Sequence, residues 1–361
     1  MIKGEMKVAV ALSGGVDSAV SAALLLEEGF DVTGIFIKTY EPEESYVGEC
    51  TWEEDQDTAY SVAEHLGIPF LTWNFEREYA KTVLSYFFSE LKKGRTPNPD
   101  VWCNQDIKFG HFLHKALGEH FNYIATGHYV YLTCNKQGIY ELHRGKDKKK
   151  DQSYFLCRVP QEALSCALFP VGGMEKSEVR KKAHVFHLPN AERKDSQGVC
   201  FLGKIDIKTF IQRQLLSKPG DIKTVDGKII GKHNGLALYT IGQREGIRIG
   251  GTKEPYYVAD KNVLANTLIV VEGKEHPLLY STGCILEDIV WIAPVRDFIK
   301  SYMVQIRYQQ PPQDAFITRD KKAGLQVTFL NPQWAVTPGQ LCAIYEKDQC
   351  IASGIIRQRV A

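Results

Sequence analysis

The chain has 361 residues, of which 44% are hydrophobic and 24% are charged. This length predicts two or three domains, and the composition is that of an ordinary globular protein without a disordered tract. The 44 Lys and Arg residues against 43 Asp and Glu residues leave a formal net charge of +1. Overall charge therefore does not indicate a nucleic-acid partner, and any such partner must be bound by local patches.

The N-terminal residues and the cysteine spacing indicate the cellular compartment in which the protein is expected. Lys3, Glu5 and Lys7 surround a very short apolar run, which predicts neither a signal peptide nor a transit peptide, and no later segment is long enough to span a bilayer. Nine cysteines without a CxxC pair argue against a disulfide framework and against a zinc ribbon. We therefore expect a cytoplasmic protein without a membrane partner.

The first two hundred residues alternate strand-like and helix-like segments. Apolar runs rich in β-branched residues predict strands at 7–12, 31–38, 68–75 and 123–127. Helical apolar spacing that ends at glycine predicts helices at 18–29, 57–67 and 78–94. This alternation predicts an α/β N-terminal domain over 1–204, a doubly wound parallel sheet that binds ligands at the carboxyl ends of its strands. Ser13, Ile37 and Gly127 fall at such ends.

The pattern changes after the first domain. Glycines and short strand-like pieces, such as GDIKTVDGKIIG and ALYTIGQREGIRIGG, predict a small β-rich central domain over 205–276. The alternating runs SYMVQIRY, AGLQVTFL and QLCAIYE, separated by Pro and Gly turns, predict a C-terminal antiparallel β-barrel over 277–361.

Between the first strand and the first helix the sequence reads ALSGGVDSAV. Gly14 and Gly15 let backbone amides converge beside a helix N-terminus, an arrangement that binds phosphate. The spacings GxxxxGK[ST], GxGxxG and GxSxG are absent. The SGGVDS turn instead looks like the pyrophosphatase-type loop of enzymes that split ATP into AMP and pyrophosphate, with Asp17 placed to hold Mg²⁺ beside the phosphates. A plain strand-to-helix turn is the alternative.

Two cysteines lie in unusual surroundings. Cys103 follows the polar, proline-containing segment GRTPNPDVW, where Pro97 and Pro99 disfavour both helix and sheet. We expect a rigid loop that places the thiol just before a helix start, where the helix dipole favours thiolate. Cys200 follows Arg193, Lys194 and a Ser-Gln-Gly turn, and the cations there also favour thiolate. Each cysteine has a structural alternative, as a buried packing residue.

The other cysteines have strand-like or apolar neighbours, and we interpret all of them as packing residues: Cys50, Cys134, Cys157, Cys166, Cys284, Cys342 and Cys350. The densest basic run is HRGKDKKKDQS at 143–153. By itself such a run is typical of a solvated loop.

Seven motifs together resemble one family. SGGVDS, GRTPNPDVWCN, ATGHY, KDQSYFL, KDSQGVCF, YTIGQREG and TPGQ occur in the order and spacing of the bacterial and organellar tRNA 2-thiouridylases, enzymes of the ATP pyrophosphatase-loop superfamily. The resemblance covers nearly the whole chain. It implies the same three-domain organisation, with tRNA bound by the C-terminal barrel.

The resemblance implies ATP-dependent 2-thiolation of the wobble uridine, position 34, of tRNA. ATP adenylates the C2 oxygen, a persulfide sulfur replaces it, and AMP and pyrophosphate are released. Cys200 matches the position that receives the persulfide from a donor protein, Cys103 matches the nucleophile that forms a transient disulfide with Cys200, and Asp100 matches the acid/base carboxylate. Phosphate activation is chemically sensible because an amide-like oxygen leaves poorly, and a persulfide is a softer nucleophile than water.

The resemblance also assigns binding residues. For ATP these are Ala11, Leu12, Ser13, Gly14, Gly15, Val16, Asp17, Ser18, Ile37 and Gly127. For the target base they are Asn98, Pro99 and Asp100. For the rest of the tRNA they are His128, Lys150, Asp151, Gln152, Arg307, Tyr308 and Gln340. Chemistry at C2 also requires the base to flip out of its stack.

Some positions depart from the family pattern. Ile37 and Tyr40 stand where methionine and tryptophan are common, and Gln105 stands where a basic residue is common, which implies one phosphate contact fewer. Two other functions remain compatible with parts of the sequence. An amidating synthetase of the same superfamily shares the SGGVDS loop but does not need the two cysteines. A non-catalytic RNA-binding protein would use the ATP loop only as a regulatory site.

Overall fold

A computed structural model describes residues 5–40, 52–194, 207–215, 218–247, 249–250, 253–293, 300–320 and 324–361. Its strands are β1 Lys7–Ala11, β2 Asp31–Lys38, β3 Phe70–Asn74, β4 Tyr123–Ala125, β5 Val130–Cys134, β6 Tyr140–Arg144, β7 Ala167–Leu168, β8 Gly220–Thr224, β9 Ile229–His233, β10 Tyr256–Asn262, β11 Thr267–Glu272, β12 Tyr280–Trp291, β13 Ser301–Gln305, β14 Gln313–Asp320, β15 Gly324–Trp334, β16 Leu341–Glu346 and β17 Gln349–Val360.

Its α-helices are α1 Val16–Glu27, α2 Trp52–Leu66, α3 Glu76–Tyr79, α4 Ser85–Lys92, α5 Pro99–Trp102, α6 Leu113–Gly118, α7 Gln161–Ser165, α8 Lys176–Val185 and α9 Ile207–Leu215. Two π-helical segments, Ala80–Leu84 and Cys103–Phe112, join α3 to α4 and α5 to α6. Within the described ranges, no helix is long and apolar enough to cross a membrane.

The N-terminal unit contains a five-stranded sheet in the order β3-β2-β1-β4-β7. All its strand pairs are parallel, as the alternating pattern predicts. The third predicted strand begins only at Phe70, since Pro69 has no N–H to donate to a ladder. The chain leaves β1 toward β2 on one side and returns to β4 on the other, so the topological switch point lies between β1 and β4.

Both faces of this sheet are covered, which confirms the doubly wound prediction. On one face α1, α2 and α8 supply a core that includes Val20, Val62 and Val179. On the other face the helical segments after β3 pack through residues such as Tyr79 and Phe112. The N-terminal unit is therefore a three-layer structure, with the parallel sheet between two layers of helices.

The central unit has a four-stranded sheet in the order β10-β11-β8-β9, in which β11 and β8 are parallel. Its β-rich character is confirmed, with two differences. It is preceded by helix α9, whose residues Phe210 and Ile211 are buried. The run ALYTIGQREG contains a short 3-10 turn, Leu236–Leu238, and turns instead of strands.

The C-terminal unit is a closed antiparallel barrel, as predicted. Its six strands follow the order β12-β15-β14-β13-β16-β17, and β12 pairs with β17 to close it. Its core includes Val327, Ile344 and Ile356.

The hairpin β5–β6 of the N-terminal unit also joins the barrel sheet. Leu142 of β6 pairs with Cys350 of β17, and both are fully buried. The sequence pattern does not predict this pairing, because the two strands lie about two hundred residues apart. The barrel is thus attached to the N-terminal unit by backbone pairing as well as by side-chain packing.

Candidate nucleotide and tRNA site

The phosphate loop, residues 11–18, connects β1 to α1. Gly14 has φ +74°, a conformation that favours glycine, and Gly15 is the extended N-cap of α1. The Gly14 carbonyl accepts hydrogen bonds from Asn190 Nδ2 at 2.8 Å and from Arg193 Nη1 at 3.1 Å. These bonds turn the carbonyl away from the loop interior, so the loop amides and the start of α1 remain available to a phosphate group.

Gly127 closes the other side of the switch point. A Cβ at this position would lie 2.7 Å from both the Asp17 carbonyl carbon and the Ser18 nitrogen. Only glycine therefore lets the end of β4 approach the first turn of α1 this closely. The structure brings the predicted ATP residues of the phosphate loop and Gly127 together, while Ile37 lies buried in the adjacent strand β2.

The carboxylate of Asp17 is held by two side chains that the sequence analysis did not select. Lys176 Nζ lies 2.7 and 2.9 Å from its two oxygens, and the Tyr129 hydroxyl donates to Oδ1 at 2.7 Å. No local sequence pattern predicts this ion pair, because Lys176 lies 159 residues from Asp17 in sequence. Ser13, Ser18 and Asp17 offer the oxygen ligands that Mg²⁺ prefers. The Asp17 carboxylate is also paired with Lys176, which neutralises its charge.

The segment around Cys103 is a helix instead of the expected loop. Asn98 Oδ1 accepts a hydrogen bond from the Asp100 backbone N–H at 3.1 Å, and Pro99 is the first helical residue. Proline is favourable there because that N–H has no helical partner. The prediction that Cys103 precedes a helix start was therefore wrong. It is the fifth residue of the continuous helical segment 99–118, here named the cysteine helix, and it is buried.

Asp100, and not Cys103, lies nearest the helix N-terminus. Asp100 lies in the first turn, where the helix dipole stabilises negative charge. Cys103 and Asn104 follow three and four residues later, so the three side chains share one face of the helix. Asn104 Nδ2 donates to the Phe155 carbonyl at 3.3 Å, while its buried Oδ1 has no partner within the described ranges.

The segment before the cysteine helix is held by both other units. The Thr96 N–H donates to the Pro338 carbonyl at 2.9 Å, and Gln340 Nε2 donates to the Thr96 carbonyl at 2.8 Å. Lys261 of the central unit lies 3.5 Å from Thr96 Oγ1 and donates to the Tyr239 carbonyl. Burial lowers the pKa of Lys261 to about 8. Gln340, a predicted tRNA contact, therefore also anchors the approach to Asp100.

His128 is a predicted tRNA contact that the structure buries. Its Nδ1 lies 2.8 Å from Thr126 Oγ1, and its ring lies 6.0 Å from the ring of Phe109 in the cysteine helix. Burial, with a smaller effect of Lys108, holds the pKa of His128 well below its usual value. The imidazole is therefore neutral at physiological pH and offers no positive charge to a phosphate.

The predicted tRNA residues in KDQS belong to an ordered turn. Gln152 Oε1 accepts a hydrogen bond from the Tyr129 N–H at 2.9 Å, and the Asp151 carboxylate accepts bonds from the Gly145 and Ser153 backbones at 3.1 Å. Burial raises the pKa of Asp151. These side chains hold the turn against the end of β4, and Lys150 is half-buried beside them.

The basic run is ordered by Asp147, a buried carboxylate that accepts hydrogen bonds from the backbones of Lys149, Lys150 and Lys176. Lys148 and Lys149 are exposed, and Lys148 lies 3.2 Å from Asp348 at the surface. Exposed ion pairs of this kind contribute little to stability, so Lys148 can exchange Asp348 for another anion.

Arg307 and Tyr308 lie on the barrel. The Arg307 guanidinium donates to the Ala335 carbonyl at 3.3 Å and to Thr337 Oγ1 at 3.4 Å, so it adjoins the TPGQ turn of Gln340. The Tyr308 ring lies 4.2 Å from the ring of Phe155. Phe155 in turn accepts the hydrogen bond from Asn104, so Tyr308 is two contacts from the cysteine helix.

The remaining cysteines are placed as follows. Cys200 and Cys50 lie outside the described residues, so the pairing of Cys103 with Cys200 stays a prediction. Cys134 is exposed at the end of β5, so its interpretation as a packing residue was wrong. It is the last residue of this hairpin strand, where no apolar core of the described residues covers the side chain. The others are buried or half-buried, as expected: Cys157, Cys166, Cys284, Cys342 and Cys350.

The chain matches three family models in succession. They are described as a tRNA methyl transferase HUP domain over residues 6–204, a tRNA methyl transferase PRC-barrel domain over 208–272 and an aminomethyltransferase beta-barrel domain over 281–356. The fold and the phosphate loop thus define a nucleotide-binding HUP protein with two appended β-units.

The relatives narrow this class. The chain is 46% identical over 353 residues to tRNA-specific 2-thiouridylase MnmA 1 of Geobacillus kaustophilus, covering 97% of this chain and 95% of the relative. It is 44% identical over 359 residues to tRNA-specific 2-thiouridylase MnmA of Staphylococcus aureus, and this match covers 99% of this chain and 96% of the relative. The chain belongs to the tRNA-specific 2-thiouridylase family, which confirms the resemblance drawn from the seven motifs.

Among solved structures, a 4-thiouridine synthetase in complex with RNA and bound ATP is similar at a TM-score of 0.36 and 18% identity. The match covers 58% of this chain and 50% of that one. A likeness this distant does not bear on the activity.

The close approach at Gly127 generates a prediction. Gly127→Ala places a methyl group against the first turn of α1, so we expect ATP binding to weaken by about tenfold or more, which is about 1.4 kcal/mol. Isothermal titration with ATP measures this. Gly173→Ala is the matched control, since a Cβ there meets nothing within 4 Å. Equal ATP affinity in the two variants would contradict the placement of ATP at this switch point.

Proposed function

We propose that this protein is an ATP-dependent tRNA 2-thiouridylase that replaces the C2 oxygen of the wobble uridine, position 34, with sulfur. Membership of the family at 44–46% identity over nearly the whole chain supports the overall activity. The observation that carries the proposal is the cysteine helix, which sets the carboxylate of Asp100 and the thiol of Cys103 three residues apart on one face.

The first half of the reaction activates the base. ATP lies on the phosphate loop, residues 11–18, with Gly127 behind the phosphates and the Ile37 backbone near adenine. The C2 oxygen attacks the α-phosphate, pyrophosphate leaves, and the resulting adenylate turns a poor leaving group into AMP. Mg²⁺ bound with ATP would supply charge neutralisation at the phosphates, and Asp17 is the residue that would hold it. Lys176 and the start of α1 complete the positive surroundings of this site.

The second half transfers sulfur. A donor protein loads Cys200 as a persulfide. The Cys103 thiolate attacks the inner sulfur, Cys200 Sγ, so that the S–S bond of the persulfide breaks, a Cys103–Cys200 disulfide forms and hydrosulfide is released. The hydrosulfide attacks C2, and AMP departs with the former C2 oxygen. As the acid/base carboxylate, Asp100 takes the N3 proton when the C2 oxygen is adenylated, and the proton of the attacking hydrosulfide passes through Asp100 to N3 when AMP departs. An external thiol reductant then supplies two electrons to restore both cysteines.

For tRNA, the proposal uses surfaces on two units. Asn98, Pro99 and Asp100 contact the flipped base at the start of the cysteine helix. Lys150, Asp151, Gln152, Arg307, Tyr308 and Gln340 contact the surrounding tRNA. His128, which is buried and neutral, acts in this scheme through the cysteine helix that it adjoins, without a charge of its own.

The domain limits proposed for these roles are 1–204 for catalysis, 205–276 for the central unit and 277–361 for the barrel. A tRNA substrate and a persulfide donor are consistent with a cytoplasmic location. The amidating and non-catalytic alternatives do not require the Asp100–Cys103 arrangement, so the family assignment and this geometry favour thiolation over both.

The two-cysteine mechanism generates a prediction. Cys103→Ser and Cys200→Ser each abolish formation of 2-thiouridine from a persulfide donor, because one removes the nucleophile and the other the sulfur carrier. Nucleoside mass spectrometry of the product tRNA measures this, and alkylation after loading should detect a persulfide on Cys200 only.

Two matched variants control for general effects of cysteine loss. Cys134→Ser changes an exposed thiol and Cys157→Ser a buried one, and both should retain thiolation. Full activity of Cys200→Ser beside an inactive Cys103→Ser would refute the pairing.

The basic run generates a second prediction. Changing Lys148, Lys149 and Lys150 to Ala should weaken tRNA binding and reduce the slope of log K against log salt by roughly two units, because each neutralised phosphate contributes about 0.7 to 0.9. ATP affinity should stay nearly constant. Binding titrations at several salt concentrations measure both, with Lys181→Ala/Lys182→Ala on α8 as control. Parallel salt slopes for wild type and the triple variant would restore the interpretation as a solvated loop.

A further inference from the structure

A buried arginine adjoins the cysteine helix. Arg158 is 5% exposed, and its guanidinium makes three hydrogen bonds. Nε donates to Gln105 Oε1 at 2.7 Å, Nη1 donates to the Asp288 carbonyl at 2.9 Å, and Nη2 donates to Asp288 Oδ2 at 2.8 Å. One buried cation therefore joins the cysteine helix to barrel strand β12.

The same guanidinium contacts the residue before Cys103. Its central carbon lies 5.0 Å from the centroid of the Trp102 ring, within the range of a cation–π interaction. Trp102 also stacks on Tyr86, with ring centroids 3.9 Å apart and an interplanar angle of 7°. Arg158 thus holds Trp102 on one side of Cys103 in sequence and Gln105 on the other.

The barrel end of this connection is itself a defined feature. Asp288 has φ +50°, and the pairing of β12 with β17 shifts register between Glu287 and Val290. The neighbouring Glu287 forms an ion pair with Arg95, which also lies 3.2 Å from Glu90 of α4. Two adjacent barrel residues therefore bind cations of the N-terminal unit: Glu287 binds Arg95, which precedes the cysteine helix in sequence, and Asp288 binds Arg158, which packs against that helix.

A neutral side chain at position 105 fits this arrangement, because Gln105 lies beside the Arg158 guanidinium. A second cation within hydrogen-bonding distance of the buried Arg158 would be strongly repelled. The neutral amide of Gln105 instead accepts the Arg158 Nε–H bond and donates to Asp106 Oδ1 at 2.9 Å.

We propose that Arg158 is a positioning residue for thiolation: by holding Trp102 and Gln105 against β12, it sets where Asp100 and Cys103 lie relative to a base presented by barrel-bound tRNA. This inference rests on the proposed function of Cys103. The contacts of Arg158 are to this chain's own side chains and backbone, so its loss should slow the reaction of bound substrates without weakening their binding.

The test compares kcat and KM for tRNA and ATP in the thiolation assay. Arg158→Met should lower kcat by about 10- to 100-fold, the cost of a displacement near 1 Å, while both KM values stay within about twofold. Arg158→Lys keeps the charge and should retain more activity. Gln105→Lys should also lower kcat, and the double variant Gln105→Lys/Arg158→Met should be no slower than the slower single variant, because both changes break one interaction.

Arg359→Met is the matched control. Arg359 also joins two units, since Nη1 donates to the Leu278 carbonyl at 3.0 Å and Nη2 lies 3.8 Å from Asp260 Oδ2, and neither of these partners belongs to the cysteine helix. Its variant should keep the wild-type kcat, and melting temperatures of all variants report folding. If Arg158→Met does not fold, the kcat and KM values of Arg158→Lys and Gln105→Lys test the inference instead.

Three results would overturn the inference: an unchanged kcat in folded Arg158→Met, a loss confined to the KM for tRNA, or an equal loss in Arg359→Met. Cys103→Ser in the same assay separates this outcome from failure of the proposed function. Active wild type and inactive Cys103→Ser with fully active Arg158→Met contradict the positioning role alone. An active Cys103→Ser contradicts the proposed function first.

Discussion

The N-terminal unit and the barrel share an apolar core, which holds the two units together. Leu142 and Tyr154 of the N-terminal unit pack in one core with Leu341 and Tyr345 of the barrel, and Cys103 belongs to the same core. The Tyr154 hydroxyl donates to the Leu341 carbonyl at 3.1 Å. Burying each large side chain of this kind contributes about 1.5 to 3 kcal/mol. The barrel therefore has a fixed position relative to the cysteine helix.

This fixed position matters because the proposed reaction brings ATP to the C2 oxygen and sulfur to the C2 carbon of the same base. The ATP site at the switch point is bounded by Gly127, and the next residue, His128, adjoins Phe109 of the cysteine helix. Earlier in the same helix, Asn104 donates to the Phe155 carbonyl, and Phe155 packs on Tyr308 of the barrel. A continuous series of contacts thus connects the nucleotide site to the proposed tRNA surface.

Local sequence patterns predict the parts of this architecture that depend on local physics. The strand-to-helix alternation, the glycine turn and the alternating strands of the barrel appear as predicted, because periodicity and turn residues act over a few positions. Cys103 was misplaced because the prolines were interpreted as helix breakers, whereas Pro99 at the first helical position with Asn98 as its cap starts a helix. The pairs Asp17–Lys176 and Arg158–Asp288 join residues more than one hundred positions apart, where no periodic pattern exists.

In the proposed mechanism ATP cleavage and sulfur insertion are one coupled reaction at position 34, and the nucleotide product distinguishes this mechanism from the alternatives. With tRNA, a loaded persulfide donor and ATP labelled in the α-phosphate, the protein should release one AMP for each 2-thiouridine formed. The SGGVDS loop resembles the pyrophosphatase type and lacks the Walker lysine, which together predict cleavage between the α and β phosphates. Release of ADP and orthophosphate, or AMP formation without 2-thiouridine in the presence of the loaded donor, would contradict the account.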